Sequence, residues 1–195
     1  DDPVRTYLRQ MGQIPLLTRE QEISIAKNIE EAENRFCKAV YELKASRREV
    51  LNVANQIIND ELSLESTIDE DWEQKAITKR KLKELTRRLR ASRKDANVVD
   101  LLMEFTLGMD IVQTILSNIK NKYKEYRQLE RELADVKRAI KKASSRELRD
   151  RSREIKAIMR GIREELVETP DKVMERLKLI VKRERELSKA KKYLV

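Results

Sequence analysis

The residues best suited to recognition chemistry lie within the first eleven positions. The apolar residues of this segment repeat at helical spacing: Val4, Leu8 and Met11. Arg5 and Arg9 point away from that stripe, so an apolar face can dock while two guanidinium groups stay available. Tyr7 is notable because only 4% of the chain is aromatic, and base stacking requires exposed rings. The segment is therefore a candidate contact surface.

Local signals place these residues on a short helix. Asp2 suits an N-cap and Pro3 suits the first helical position. Gly12 can adopt the left-handed conformation that ends a helix. The spacing predicts a helix over residues 3–11.

A second helix is predicted to start soon afterwards. Thr18 and Gln21 form a T-x-x-Q capping box, which satisfies two backbone donors at a helix start. The two helices together make a helix-turn-helix corner. The alternative interpretation is that this corner only packs two helices and contacts nothing else.

The chain lacks the groups that catalysis requires. It contains no histidine, no glycine-rich phosphate loop and no plausible set of zinc ligands. We expect no enzymatic activity, no cofactor and no metal. The acidic segment near residues 59–73 lacks the alternating oxygen ligands and central glycine of a calcium loop, so metal binding is the weaker interpretation. The single Cys37 cannot form an internal disulfide and favours simple packing in a reducing compartment.

Composition predicts an all-α fold without strands. The chain is 39% hydrophobic and 41% charged, with three glycines and three prolines. Such a composition is typical of long amphipathic helices around a thin core. Short links between them favour antiparallel hairpins or a bundle.

Charge is distributed unevenly along the sequence. Residues 1–71 carry 9 basic and 15 acidic side chains, and residues 72–195 carry 35 and 20. The first part has net charge −6 and the second +15, which favours polyanion binding by the second part. Its acids and bases alternate at helical spacing, however, as on self-paired surfaces. We therefore assign specific contact to the N-terminal segment and leave non-specific attraction open.

Periodicity predicts the order of the first helices. One long amphipathic helix is expected from Arg19 to about Asn59, followed by an acidic loop. The next helix carries a set of large apolar residues: Trp72, Ile77, Leu82, Leu85 and Leu89.

The later helices are predicted from stripes and caps. A short apolar helix contains Val98, Leu101, Leu102 and Phe105 and ends at Gly108, and a long helix spans Asp110 to about Lys142. Ser144 and Glu147 are predicted to cap the following helix, whose stripe comprises Leu148, Ile155, Ile158, Ile162 and Leu166. The pair Thr169-Pro170 starts the last helix, whose stripe comprises Val173, Leu177, Ile180, Leu187 and Leu194.

No apolar run reaches the roughly 20 residues needed to cross a bilayer, and no signal peptide core is evident. These features predict a soluble, cytoplasmic protein without membrane contact. The chain begins inside a motif and ends without a helix stop, so we expect a piece of a longer protein.

The N-terminal motif resembles region 1.2 of the primary sigma factors of bacterial RNA polymerase. The stretch Asp2-Pro3-Val4-Arg5-Thr6-Tyr7-Leu8-Arg9-Gln10-Met11-Gly12 is close to the family form DPVRxYxRExG. Leu16-Leu17-Thr18-Arg19-Glu20-Gln21-Glu22-Ile23 is close to LLTREGEI. The two blocks cover only about the first thirty residues.

The resemblance implies contact with the nontemplate strand in the promoter discriminator. The positions implied to lie nearest DNA are Arg5, Tyr7, Leu8 and Arg9. The arginines suit phosphates and base edges, and Tyr7 or Leu8 can pack on an unstacked base. The family commonly has Met at position 8 and Glu at position 10, so the sequence leaves the discriminator preference of this chain open. The alternative for Leu8 is core packing.

The resemblance also divides the chain. Residues 1–35 form the region 1.2-like corner, residues 36–184 lie where the family carries a nonconserved helical insertion, and residues 185–195 resemble the start of region 2. Core RNA polymerase and promoter DNA are the implied partners, and the insertion is implied to offer a surface for polymerase or regulator proteins. The competing hypothesis is a free-standing helical scaffold or coiled-coil interaction protein without a DNA role.

Overall fold

The computed structural model describes residues 17–64, 66–68, 75–92, 97–143 and 145–192. Seven α-helices account for most of this described part. In chain order they are α1 (Arg19–Tyr41), α2 (Ser46–Ile58), α3 (Lys75–Ala91), α4 (Val98–Met103), α5 (Met109–Lys142), α6 (Arg146–Leu166) and α7 (Pro170–Lys191). The described residues contain no strand, and a single isolated bridge joins Ile68 to Leu107. The all-α prediction is confirmed.

Helices α1 and α7 form an antiparallel pair that joins distant parts of the chain. Glu42 binds Arg176 at 3.2 Å near one end of the pair, and Glu33 binds Lys191 at 2.9 Å near the other. Phe36 on α1 and Ile180 on α7 belong to one buried core. Burial of these apolar side chains supplies the main driving force for the pairing.

Helices α5 and α6 form a second antiparallel hairpin. Near its open end, Lys122 binds Glu165 at 2.5 Å. Farther along, Arg151 donates to Glu132 from two nitrogens, at 2.9 and 2.7 Å. Because α5 has 34 residues, it is about 51 Å long at 1.5 Å per residue. Its distal half therefore packs mainly against α6.

Helices α2, α3 and α4 fill the space beside these two pairs. Leu89 of α3 and Leu102 of α4 are fully buried, so the short helix α4 contributes to the core. The Arg47 guanidinium donates to the carbonyls of Leu89 at 2.5 Å and Ser92 at 2.9 Å. A cation at this place satisfies carbonyls that the end of α3 leaves without helical partners.

Several predicted boundaries are confirmed. The long helix begins at Met109 and ends at Lys142, and Thr169 and Pro170 start the last helix as N-cap and first residue. The acidic loop is non-helical at its described positions, 59–64 and 66–68. No described helix is both long and apolar enough to cross a membrane.

The prediction of one helix from Arg19 to about Asn59 is wrong. The chain turns between Tyr41 and Ser46, and the Ser46 hydroxyl donates to the Val40 carbonyl at 2.6 Å. Tyr41, Leu43 and Ala45 are all buried, which no single face of a continuous helix allows. The break contains no glycine or proline that would indicate a turn. Because the apolar residues keep helical spacing across it, the sequence predicted a continuous helix.

Two predicted helix ends are also wrong. The short helix ends at Met103, and Gly108 is instead the N-cap of α5 with φ −56°. The left-handed residue between them is Thr106, with φ 47°. The α6 cap is Ser145, not Ser144, because the Ser145 hydroxyl accepts from the Leu148 amide at 3.2 Å.

Two apolar residues assigned to inward stripes are exposed. Ile77 is 61% exposed on α3, where Thr78 takes the buried position, and Ile158 is exposed on α6. Trp72, Ser144, Leu194 and the predicted helix over residues 3–11 lie outside the described residues.

A buried carboxylate joins the two turns that close the fold. Val167 adopts the left-handed conformation with φ 60°, and this reversal turns Glu168 inward until its side chain is only 2% exposed. The Glu168 carboxylate accepts from the Lys44 amide at 3.1 Å and from Arg176 Nε at 3.0 Å. It thereby links the α1–α2 turn to the start of α7.

Glu168→Ala is expected to lower the free energy of unfolding by about 2 kcal/mol, because it removes a buried carboxylate that accepts from both the Lys44 amide and Arg176 Nε. Urea unfolding followed by circular dichroism measures the loss. Glu164→Ala is the control, since Glu164 is an exposed glutamate two residues before the end of α6. Equal losses for the two variants would contradict the role of Glu168.

The tie between α5 and α6 is expected to depend on pH. The hydrogen bond from Lys122 holds the pKa of the Glu165 carboxyl below its ordinary value. A depressed pKa in the folded state stabilises the fold above the unfolded pKa, and this contribution disappears as the pH falls through the folded pKa. Because both side chains are partly exposed, Lys122→Gln is expected to cost less than about 1 kcal/mol at pH 7.

The cost of the same substitution is expected to decrease between pH 7 and about pH 3, because the charge of the carboxyl is lost as the pH falls through its folded pKa. Urea midpoints at the two pH values make the comparison. Lys124→Gln removes an exposed lysine two positions away and serves as the control. A pH-independent loss would show that Lys122 acts through packing instead.

Candidate nucleic-acid interface

The interface predicted from sequence begins just before the described residues. Arg5, Tyr7, Leu8 and Arg9 lie outside them, so their arrangement stays a prediction. The first described residues, Leu17 and Thr18, lead directly into α1. The described part of the interface is therefore the helix to which this segment is attached.

The start of α1 is fixed by the predicted capping box. The Thr18 hydroxyl accepts from the Gln21 amide at 3.2 Å, and the Gln21 side-chain oxygen accepts from the Thr18 amide at 2.9 Å. Glu20 and Glu22 lie in the first turn and complement the positive end of the helix dipole. These local bonds set the direction in which the preceding chain enters the helix.

The first half of α1 is an exposed arm. Residues 19–31 contain no buried position, and burial begins at Ala32 and Phe36. Ile23 is 48% exposed, although a core helix would bury it. The arm, defined as residues 19–31, therefore lies largely outside the packed core.

The end of α7 lies beside the base of this arm. Lys191 binds Glu33 at 2.9 Å, and Ala190 packs against the core. Because α1 and α7 are antiparallel, the arm continues past the end of α7. The base of the arm and the described end of α7 thus lie side by side, although the intervening helices separate them in sequence.

A cleft of about 390 Å³ lies on another part of the molecule, between the α1–α2 turn and α4. Arg47 and Arg176 line it, but both guanidinium groups already bind carbonyl or carboxylate oxygens. Burial raises the pKa of the Tyr41 phenol in its wall, so the phenol stays protonated. Both arginines therefore stabilise the packing around the cleft. Neither guanidinium group lacks a partner that a ligand would have to replace.

The described residues form no cluster that could hold a metal ion. Among the described residues, no three potential metal ligands of the His, Cys, Asp or Glu type converge. Cys37 is partly buried and packs against the core, as expected for a structural cysteine. The described surface can bind by shape and charge.

Sequence reasoning missed one feature of this surface. Four lysines and one arginine form a row along the exposed face of α7 and its C-cap residue: Lys178, Lys182, Arg185, Lys189 and Lys192. Their spacing of i, i+4, i+7, i+11 and i+14 was available in the sequence as a signal. It was obscured because acids and bases alternate elsewhere on the same helix.

Comparison with known proteins places the N-terminal segment in a family. Residues 2–34 match the model described as sigma-70 factor, region 1.2. The chain is also 43% identical over 68 residues to the RNA polymerase sigma factor RpoD of Neisseria gonorrhoeae. That match covers 35% of this chain and only 11% of the relative. Residues 2–34 are therefore similar to region 1.2 of the sigma-70 factors, and the chain spans only a small part of the length of this relative.

Proposed function

We propose that this chain forms part of a transcription initiation factor that directs core RNA polymerase to promoters. The observation that carries the proposal is the match of residues 2–34 to region 1.2 of the sigma-70 factors. The relative that aligns with the chain is an RNA polymerase sigma factor by name. We assign the chain no catalytic step.

The segment before α1 is the proposed DNA contact. In this proposal Arg5 and Arg9 bind phosphates or base edges of the nontemplate strand in the discriminator, and Tyr7 and Leu8 pack on an unstacked base. The exposed arm supports this assignment, because the described residues that follow the segment lie largely outside the packed core. Stacking of one base on an aromatic side chain contributes about 1–3 kcal/mol.

Tyr7→Ala and Arg9→Ala are expected to shorten the lifetime of the open promoter complex by roughly fivefold or more, since about 1 kcal/mol is lost with each contact. The effect is expected to vary with the discriminator sequence. The measurement uses a full initiation complex that contains this chain in its natural context. The decay of the open complex is followed after a competitor is added, on two promoters that differ only in the discriminator.

Arg19→Ala is the matched control, because Arg19 is an exposed arginine at the start of the same arm. It is expected to leave the lifetime unchanged. If Arg5, Tyr7 and Arg9 can all be replaced without effect on either promoter, the free-standing scaffold becomes the better interpretation. A crosslinking map that places this terminus far from nucleotides would have the same consequence.

We also propose that the helices between residues 36 and 184 form a docking surface for polymerase or a regulator protein. The supporting observation is Ile77, which is 61% exposed on α3. This helix carries eight basic and one acidic side chain over Lys75–Ala91. An exposed apolar residue within a cationic helix suits an acidic protein surface with an apolar centre.

Ile77→Asp is expected to reduce retention of purified core polymerase on the immobilised chain by about tenfold, because it removes an apolar anchor and adds a charge of the wrong sign. Ile158→Asp alters an exposed isoleucine on α6 and serves as the control. Equal retention of the two variants and the unmodified chain would count against docking on α3.

A further inference from the structure

The row on α7 is a continuous cationic edge. Its five members, Lys178, Lys182, Arg185, Lys189 and Lys192, are all exposed. The row covers 14 residue steps, which at 1.5 Å per residue is about 21 Å. It faces away from the buried positions Val173, Ile180 and Leu187 of the same helix.

Within the described part of the chain, no member of this row forms an ion pair. The acids of α7 that do form ion pairs bind other cations: Glu186 binds Arg183 at 2.8 Å, and Glu184 binds Lys120 at 3.9 Å. The hydrogen bond from Arg183 holds the pKa of the Glu186 carboxyl below its ordinary value. The nearby charge of Lys182 makes a smaller contribution in the same direction. The row thus presents about one cation every 5 Å.

Helix α3 has more charge but a more interrupted surface. Lys79 binds Asp60, Arg87 binds Glu84 and Arg88 binds Glu104. Arg90 donates to the Asn55 side chain at 3.1 Å. Among its described cations, Arg80 and Lys83 are exposed and take part in no such bond. Because several cations of α3 already have partners within the fold, α7 is the better surface for binding an anionic partner.

The chemistry of the row fits the backbone of a nucleic-acid duplex. Lysines contribute point charges that bind phosphates without reading base edges. No aromatic residue lies in the row, so it offers no stacking platform for single-stranded bases. Protein interfaces are depleted in lysine at their centres, which disfavours an acidic protein as the occupant. One strand of duplex DNA presents a phosphate every 3.4 Å or so along its axis, a density that five cations over about 21 Å can follow.

We propose that the outer face of α7 binds the phosphate backbone of duplex DNA without sequence preference. This inference does not rest on the proposed discriminator contact, which concerns unpaired bases at the N-terminal segment. The predicted observable is salt dependence. Five phosphate contacts give a slope of roughly −4.5 for log K against log salt, at about −0.9 for each contact.

The test is fluorescence anisotropy of the 195-residue chain with a labelled duplex of about 30 base pairs and scrambled sequence, between about 50 and 200 mM salt. The double variant K182Q/R185Q is expected to reduce the slope by about two and the affinity at the lowest salt by at least about tenfold. The matched double variant R80Q/K83Q removes one arginine and one lysine from α3 and is expected to change neither. Circular dichroism verifies equal helicity.

Each alternative outcome overturns the proposal. Equal losses from the two double variants would show attraction by net charge alone. Tighter binding to polyglutamate than to the duplex, lost in K182Q/R185Q, would show that the row recognises an acidic protein. A preference for single-stranded DNA over the duplex would also exclude the duplex backbone as the partner of the row. R5A/Y7A/R9A separates the two proposals, because it alters discriminator-dependent lifetimes and is expected to leave most of the salt slope on α7 intact.

Discussion

The fold depends on the pairing of α1 with α7, which joins the two ends of the described chain. Residues such as Phe36 and Ile180 become fully buried only when these helices meet. More than 130 residues separate the two partners of the Glu42–Arg176 ion pair, so the closure costs chain entropy before any contact repays it. The intervening helices reduce that cost, because their hairpins shorten the path between the ends. The buried Glu168 then fixes the corner at which α7 begins.

Local features of the fold could be predicted from the sequence, and non-local ones could not. The capping box of Thr18 and Gln21 and the start at Thr169-Pro170 involve neighbours within three positions, and both are confirmed. The turn after Tyr41 is stabilised by a carboxylate 124 residues away, through the Lys44 amide. No local pattern encodes that bond. Continuous apolar spacing therefore predicted one helix where the structure has two.

The same distinction applies to the functional surface. The motif around Arg5, Tyr7 and Arg9 led directly to a family, which the match of residues 2–34 supports. It does not supply the geometry of those side chains, which lie outside the described residues. For the cation row of α7, the structure supplied what the sequence did not show. Its spacing was present in the sequence, but only the ion pairs of the fold show which charges on α3 and α7 remain available.

The antiparallel pairing directs the cation row of α7 toward the base of the arm. Lys191 binds Glu33 at the base of the arm, so the row on α7 runs toward the end of the molecule from which the arm projects. Non-specific phosphate contacts act over about 10 Å at moderate salt and increase encounter rates without selecting a sequence. Specific contacts at the N-terminal segment would then act on DNA that is already held nearby. The charge of the helices and the motif of the corner, which seemed to compete for the nucleic-acid role when read from the sequence, are physically compatible in the folded chain.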